Sequence, residues 1–300
     1  MSDTLIIVLT AGLVATACGL LSPLLIVRRV ALMADAVSHA VLPGIVAVFL
    51  LLGTRSPVWV IVGAAVVAVI CVVSIDALRE SGLVHSDAAI ALVFPALCAL
   101  GVLGVHRWTE NIHLDLDSTI YGEIAFTPLN TITIAGIDLP QSIIVLAPVV
   151  ALNALLIVAF WKELKVTSFD PGFSRVAGFA PRLVARGLLI AVALTAVSAF
   201  ESVGALLVIA LLIVPGATAY LLSNRLSVMV AISVAVGWIA AVGGYAGASA
   251  IDASIAGAMG LTATLCFAVA LVVAPRHGLI AQARRRATVR RAEARAAIGA

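Results

Sequence analysis

The sequence predicts an all-α fold: a polytopic membrane bundle of eight to nine transmembrane helices with one short helix on the cytoplasmic side. Three observations carry this. Of 300 residues, 63% are hydrophobic and 11% charged, against roughly 25% charged in soluble domains. Nine apolar runs lie near 5–27, 34–53, 58–78, 88–106, 142–161, 183–199, 203–222, 227–246 and 252–274, lengths suited to a ~30 Å hydrocarbon core crossed at about 1.5 Å per residue. If Arg28 and Arg29 are cytoplasmic and every run crosses, all of the 18 Lys and Arg except Arg55 and Arg107 fall on that side. This is the bias that sets membrane topology, and it puts the N-terminus outside and the C-terminus in the cytoplasm.

The first run has no basic segment before it and leads directly to Arg28 and Arg29, which reads as a retained span and not a cleaved signal. Cys18, Cys71, Cys98 and Cys266 all sit inside apolar runs without a CxxC spacing and read as small buried hydrophobes. Between the fourth and fifth runs, segment 107–141 carries Glu110, His113, Asp115, Asp117, Glu123 and Asp138 against Arg107 alone. An acidic outer mouth of this kind raises the local cation concentration through its field, so His113, Asp115 and Asp117 are candidate cation guides.

After the fifth run, 162–182 is basic, and its residues about 168–179 read as a short helix. Ser168 or Asp170 is placed to cap it, Pro171 suits its first turn and Gly178 its stop. Phe169, Phe173, Val176 and Phe179 then form an apolar face, fit either for the lipid interface or for a soluble partner's groove. Glu201, a further candidate cation guide, and the Pro215-Gly216 break leave the sixth and seventh runs readable as two spans or as a re-entrant pair. The last runs are rich in small residues, Gly243, Gly244, Gly247, Ala248, Gly257 and Gly260, which let membrane helices approach closely. No soluble segment is long enough to fold alone, so 1–275 is one membrane domain. Residues 276–300 form an Arg-rich tail, suited to anionic membrane lipid and not to nucleic acid.

The chemistry concentrates at Asp35 and His39 in MADAVSHAVLPG. Positions i and i+4 share a helix face, so a carboxylate and an imidazole converge in lipid surroundings. Ionisable groups there are costly and mark ion paths, proton relays or ligand sites, and oxygen with nitrogen suits divalent transition metals. Pro43, four residues after His39, frees the His39 carbonyl and favours a bend. Two ligands are too few for Mn²⁺ or Zn²⁺; a second copy across a two-fold axis would supply two Asp and two His, and two carboxylates would neutralise the ion. Loading should release protons, because the imidazoles must be neutral. There is no GxxxxGK[ST], HExxH or GxSxG, so the chain has no ATP-binding loop and no enzyme motif of its own.

Five ordered blocks, ALMADAVSHAVLPG, DLDSTIYGEI, ELKVTSFDPGFSRVAG, SVGALLVIALLIVPGATAYLLSNRL and APRHGL, together resemble the integral-membrane permeases of zinc/manganese-type ABC importers, relatives of the vitamin B12 and siderophore permeases. The resemblance implies that Asp35 and His39 line the metal path. It implies that 168–179, with Ser168, Phe169, Asp170, Pro171, Phe173, Arg175 and Gly178, is the coupling helix for a separate cytoplasmic ATP-binding subunit. It further implies a core of two permeases, identical or closely related, fed by an extracytoplasmic metal-binding protein in a bacterial cytoplasmic membrane. Glu201 stands where many relatives have Gln. With no permanent cofactor expected, the cargo is Mn²⁺, favoured because no thiolate is near, with Zn²⁺ and Fe²⁺ the other candidates. The alternative is a proton-coupled secondary transporter acting without an ATPase, and a third class is a membrane scaffold.

Overall fold

The computed structural model describes residues 3–33, 36, 41–53, 57–108, 124–134, 137–274 and 278. Its helices are α1 (Asp3–Val27), α2 (Val41–Leu52), α3 (Pro57–Glu80), α4 (Ser86–Trp108), α5 (Gln141–Ala159), α6 (Trp161–Phe169), α7 (Pro171–Val176), α8 (Pro181–Val203), α9 (Ala205–Leu222), α10 (Leu226–Ile251) and α11 (Ile255–Val273). Eight of them, all except α2, α6 and α7, are long and apolar enough to cross a membrane. The 12 described residues of α2 measure about 18 Å and form the end of the second apolar run.

Helix α1 is the hub, flanked most extensively by α10 and α9. It runs antiparallel to α10: Thr4 bonds Tyr245 at 2.9 Å, and Thr16 accepts from the Trp238 indole at 3.0 Å. It runs parallel to α5, where Thr10 meets Ser142 at 3.0 Å and the Asn153 amide donates to Thr195 at 2.8 Å and to the Ala17 carbonyl at 3.3 Å. Such interhelical bonds contribute on average about 0.6 kcal/mol each in a bilayer. Their larger effect is to fix depth and register where apolar side chains slide freely.

Close backbone approach supplies the rest. Gly216 of α9 lies against Ser22 of α1, whose hydroxyl accepts the Gly216 N–H at 2.9 Å. A Cβ at 216 would come within 2.6 Å of the Ser22 carbonyl carbon, and backbone cannot yield as a side chain does. Gly216→Val is therefore expected to cost at least the 1–3 kcal/mol or so of core overpacking and to reduce the monodisperse detergent-extracted yield several-fold. Gly247→Ala, with nothing within 4 Å, should leave that yield unchanged. Among the late small residues, Gly244 does bring α10 onto Met259 of α11, whereas Gly247 and Gly260 face open space.

The sixth and seventh apolar runs are two complete crossings and not a re-entrant pair. Helix α8 begins beside Arg28 and Arg29 and ends near Ser202, which borders a small pocket with Thr127, Asn130 and Gln141. Gly204 turns the chain at φ +81°, and α9 returns it to Asn224 and Arg225, beside Trp161 and Lys165 of α6. Helices α8 and α9 thus run in opposite directions.

Two local features differ from the sequence reading. Thr131–Ile134 and Ile137–Pro140 pair as an antiparallel hairpin, β1 and β2, with Thr131 opposite Pro140 and Ile134 opposite Ile137. The alternating β-branched TITI favours a strand, and the hairpin leads straight into α5. The predicted single helix over 168–179 is instead the end of α6 followed by the separate α7, broken at Asp170. Ser168 belongs to α6, and Asp170 alone is the cap.

Candidate functional site

One end of the bundle gathers α6, α7, the ends of α1 and α3, and the start of α8. Helix α7 forms for local reasons. The Asp170 carboxylate accepts the Phe173 N–H at 2.8 Å, Pro171 occupies the first turn where its missing N–H costs nothing, and Gly178 takes φ +82° to end it. Ser174 turns inward and is fully buried, while Phe173 and Val176 are 61% and 88% exposed and Phe169, on α6, 53%. Trp161, Lys165, Phe169 and Phe173 border a depression of about 430 Å³. The result is a capped knob with Phe173 and Val176 held outward. Arg175 is exposed at its edge.

This knob is tied to the membrane helices by Arg28, whose Nε donates to Ser168 Oγ at 2.9 Å and Nη2 to Thr167 Oγ1 at 2.5 Å. Both hydroxyls in turn donate to carbonyls one turn back, Thr167 to Glu163 at 2.6 Å and Ser168 to Leu164 at 2.5 Å. Arg28 is half-buried with no carboxylate partner among the described residues, and burial pulls its guanidinium down to about 10, still charged at neutral pH. Beside it, Asp76 and Glu80 of α3 meet Arg186 and Arg182 of α8: Asp76 to Arg186 at 3.2 Å and Glu80 to Arg182 at 3.4 Å. Individually, partly exposed pairs of this kind contribute only about 0–1 kcal/mol. Together they clasp α3 to α8. Arg28, Asp76, Glu80, Arg182 and Arg186 are the residues that sequence reasoning missed. Their signal was charge at the ends of apolar runs, with Asp76 inside the run at 58–78.

Asp35 and His39 lie outside the described residues, as do His113, Asp115 and Asp117. The chain enters and leaves that stretch from buried ground. Met33 and Ala36 are both 1% exposed, and past it α2 packs Gly44 onto Ala64 of α3 and Pro43 onto Gly101 of α4. Glu201 stands in the last turn of α8, with its side chain outside the described set. Among the described residues, no three His, Cys, Asp or Glu side chains converge as a metal shell.

The sequence of residues 2–274 matches the model of the ABC 3 transport family. The chain belongs to the ABC 3 transport family. This permease is 41% identical over 275 residues to the manganese transport system membrane protein MntD of Bacillus subtilis, covering 91% of this chain and 93% of that one. It is also 41% identical to the zinc transport system membrane protein TroD of Treponema pallidum, over 92% of this chain and 76% of that one. The permease shares its fold with the solved structure of PsaBC from Streptococcus pneumoniae in complex with Fab. There the TM-score is 0.77 at 28% identity, covering 92% of this chain and 94% of that chain.

Proposed function

We propose that this permease is the membrane subunit of an ATP-driven importer of divalent transition-metal ions, with manganese favoured and zinc or iron the alternatives. The observation that carries the reading is the family match from residue 2 to residue 274, with relatives at 41% identity named for manganese and zinc transport. Asp35 and His39 hold the ion on its way through, and a second permease completes the shell. Glu201 and the outer residues His113, Asp115 and Asp117 guide cations from an extracytoplasmic metal-binding protein. The α6–α7 knob docks on a cytoplasmic ATP-binding subunit, and so the end bearing Arg28 and Arg186 faces the cytoplasm of a bacterial cell.

The physical logic is alternating access. The ATP-binding subunits close and displace α7. Arg28 links α6 to the end of α1, seven residues before Asp35, so movement of the knob reaches the metal-binding segment through one short stretch of chain. Two carboxylates per ion cancel its charge in a low-dielectric path, where an uncompensated charge is severely penalised.

Proteoliposomes holding the permease with its ATP-binding subunit should accumulate radiolabelled Mn²⁺ only with internal ATP, and orthovanadate should abolish the uptake. Uptake by the permease alone, driven by a proton gradient and indifferent to vanadate, would mark a secondary transporter and overturn the proposal.

A further inference from the structure

A cavity opens at the Arg28 end of the bundle. It measures about 570 Å³ and lies between the ends of α1 and α3, the start of α8 and the α6–α7 knob. That volume is in the range of small-molecule sites. Five arginines line it, Arg28, Arg29, Arg79, Arg175 and Arg182, against two carboxylates, Asp76 and Glu80. Both carboxylates are already engaged. Asp76 meets Arg186 at 3.2 Å and Arg79 at 3.7 Å, and Glu80 meets Arg182 at 3.4 Å and Arg186 at 3.8 Å.

Arg28, Arg29 and Arg175 therefore bring three positive charges to the cavity with no carboxylate partner among the described residues. Arg28 uses two of its five N–H donors on Thr167 and Ser168, which pins the guanidinium plane and leaves donors over. A divalent cation is excluded by this lining, and an apolar ligand would strand the guanidiniums. A phosphate suits them, because the guanidinium fork matches its oxygens two at a time. The cavity sits where membrane helices end, and anionic headgroups occupy that level on the cytoplasmic side. Val176 and Leu183, next in sequence to the lining Arg175 and Arg182, are 88% and 71% exposed, apolar ground beside the charge as an acyl chain would require.

We propose that this arginine cavity binds the phosphate group of an anionic phospholipid, with Arg28, Arg29 and Arg175 as its ligands. A lipid so placed would bridge α1 to the knob at the point where movement of the knob enters the membrane domain.

The test titrates the delipidated permease with phosphatidylglycerol, phosphatidylcholine or inorganic phosphate and counts bound molecules by native mass spectrometry. Wild-type protein should retain phosphatidylglycerol in preference to phosphatidylcholine. Arg29→Gln with Arg175→Gln, both at exposed positions that spare the fold, should weaken that binding about thirtyfold. Arg28→Gln should weaken it further, and Arg28→Lys should restore part. Competition by millimolar inorganic phosphate supports the same phosphate chemistry with a soluble source. Equal retention of both lipids, or phosphatidylglycerol binding unmoved in Arg29→Gln/Arg175→Gln, overturns the proposal. So does a result in which these arginines alter only the affinity for the ATP-binding subunit.

Discussion

Asp35→Asn is expected to abolish manganese uptake in cells while the permease still reaches the membrane in wild-type amount. The substitution keeps shape and removes one negative charge per permease, so the paired shell falls from neutral with the ion bound to a net positive charge. Breaking a buried ion pair by removing one partner costs about 3–5 kcal/mol, which converts to a loss of between two and four orders of magnitude in occupancy. His39→Ala should act in the same direction through loss of a nitrogen ligand. Acid should mimic it in the wild type, because the imidazole binds metal only when neutral. Uptake should therefore fall as the outer pH drops. The readout is cell-associated manganese, normalised to permease in the membrane. Wild-type accumulation in either correctly inserted variant would remove Asp35 and His39 from the path.

The second large effect belongs to α7. Phe173 and Val176 are exposed apolar side chains on a helix of only six residues, too short to persist without its caps. Phe173→Asp with Val176→Asp should eliminate uptake by preventing engagement of the ATP-binding subunit, with the membrane bundle intact because neither side chain enters its core. Asp170→Ala removes the carboxylate that accepts the Phe173 N–H and should cost about 1 kcal/mol of local helix stability, reducing uptake several-fold and not abolishing it. Co-purification of the ATP-binding subunit separates the two effects. The double aspartate variant should lose the partner, and Asp170→Ala should hold it weakly. Full co-purification with Phe173→Asp/Val176→Asp would show that the knob is not the docking element.

The spans were legible in the sequence because the bilayer dictates their length. Which face of each helix turns inward was not legible. Val14 and Leu21 of α1 are fully buried while Leu155 and Val158 of α5 are 65% and 75% exposed, yet all four are the same kind of residue, since lipid accepts what the core accepts. The periodicity that marks a buried face in a soluble helix is thereby erased. Registration depends instead on Thr10, Thr16, Ser22 and Asn153, small polar groups whose partners lie far along the chain.

Asp170, Pro171 and Gly178 were legible because capping is a local matter of three or four residues. The break between α5 and α6 was harder to read. Hydropathy falls near residue 161, where the chain leaves the apolar run, but the chain turns only briefly at Phe160 before α6 begins. Arg28 was readable as a topology marker and nothing more. Its contact with Ser168, 140 residues away, follows only from the parallel packing of α1 and α5. Asp76 passed as part of an apolar run for the same reason, its partner Arg186 standing 110 residues on. The role proposed for Asp35 and His39 rests on spacing in the sequence alone, an acid and an imidazole at i and i+4 within an apolar run.

The most direct measurement is the metal stoichiometry of the purified permease assembly, taken by equilibrium dialysis against Mn²⁺ with the metal counted by mass spectrometry and released protons counted in weak buffer. The wild type should bind one ion per permease pair with proton release, and Asp35→Asn and His39→Ala should each bind none under the same conditions. One ion per pair retained with unchanged affinity in both variants would contradict the account, whatever their transport activity.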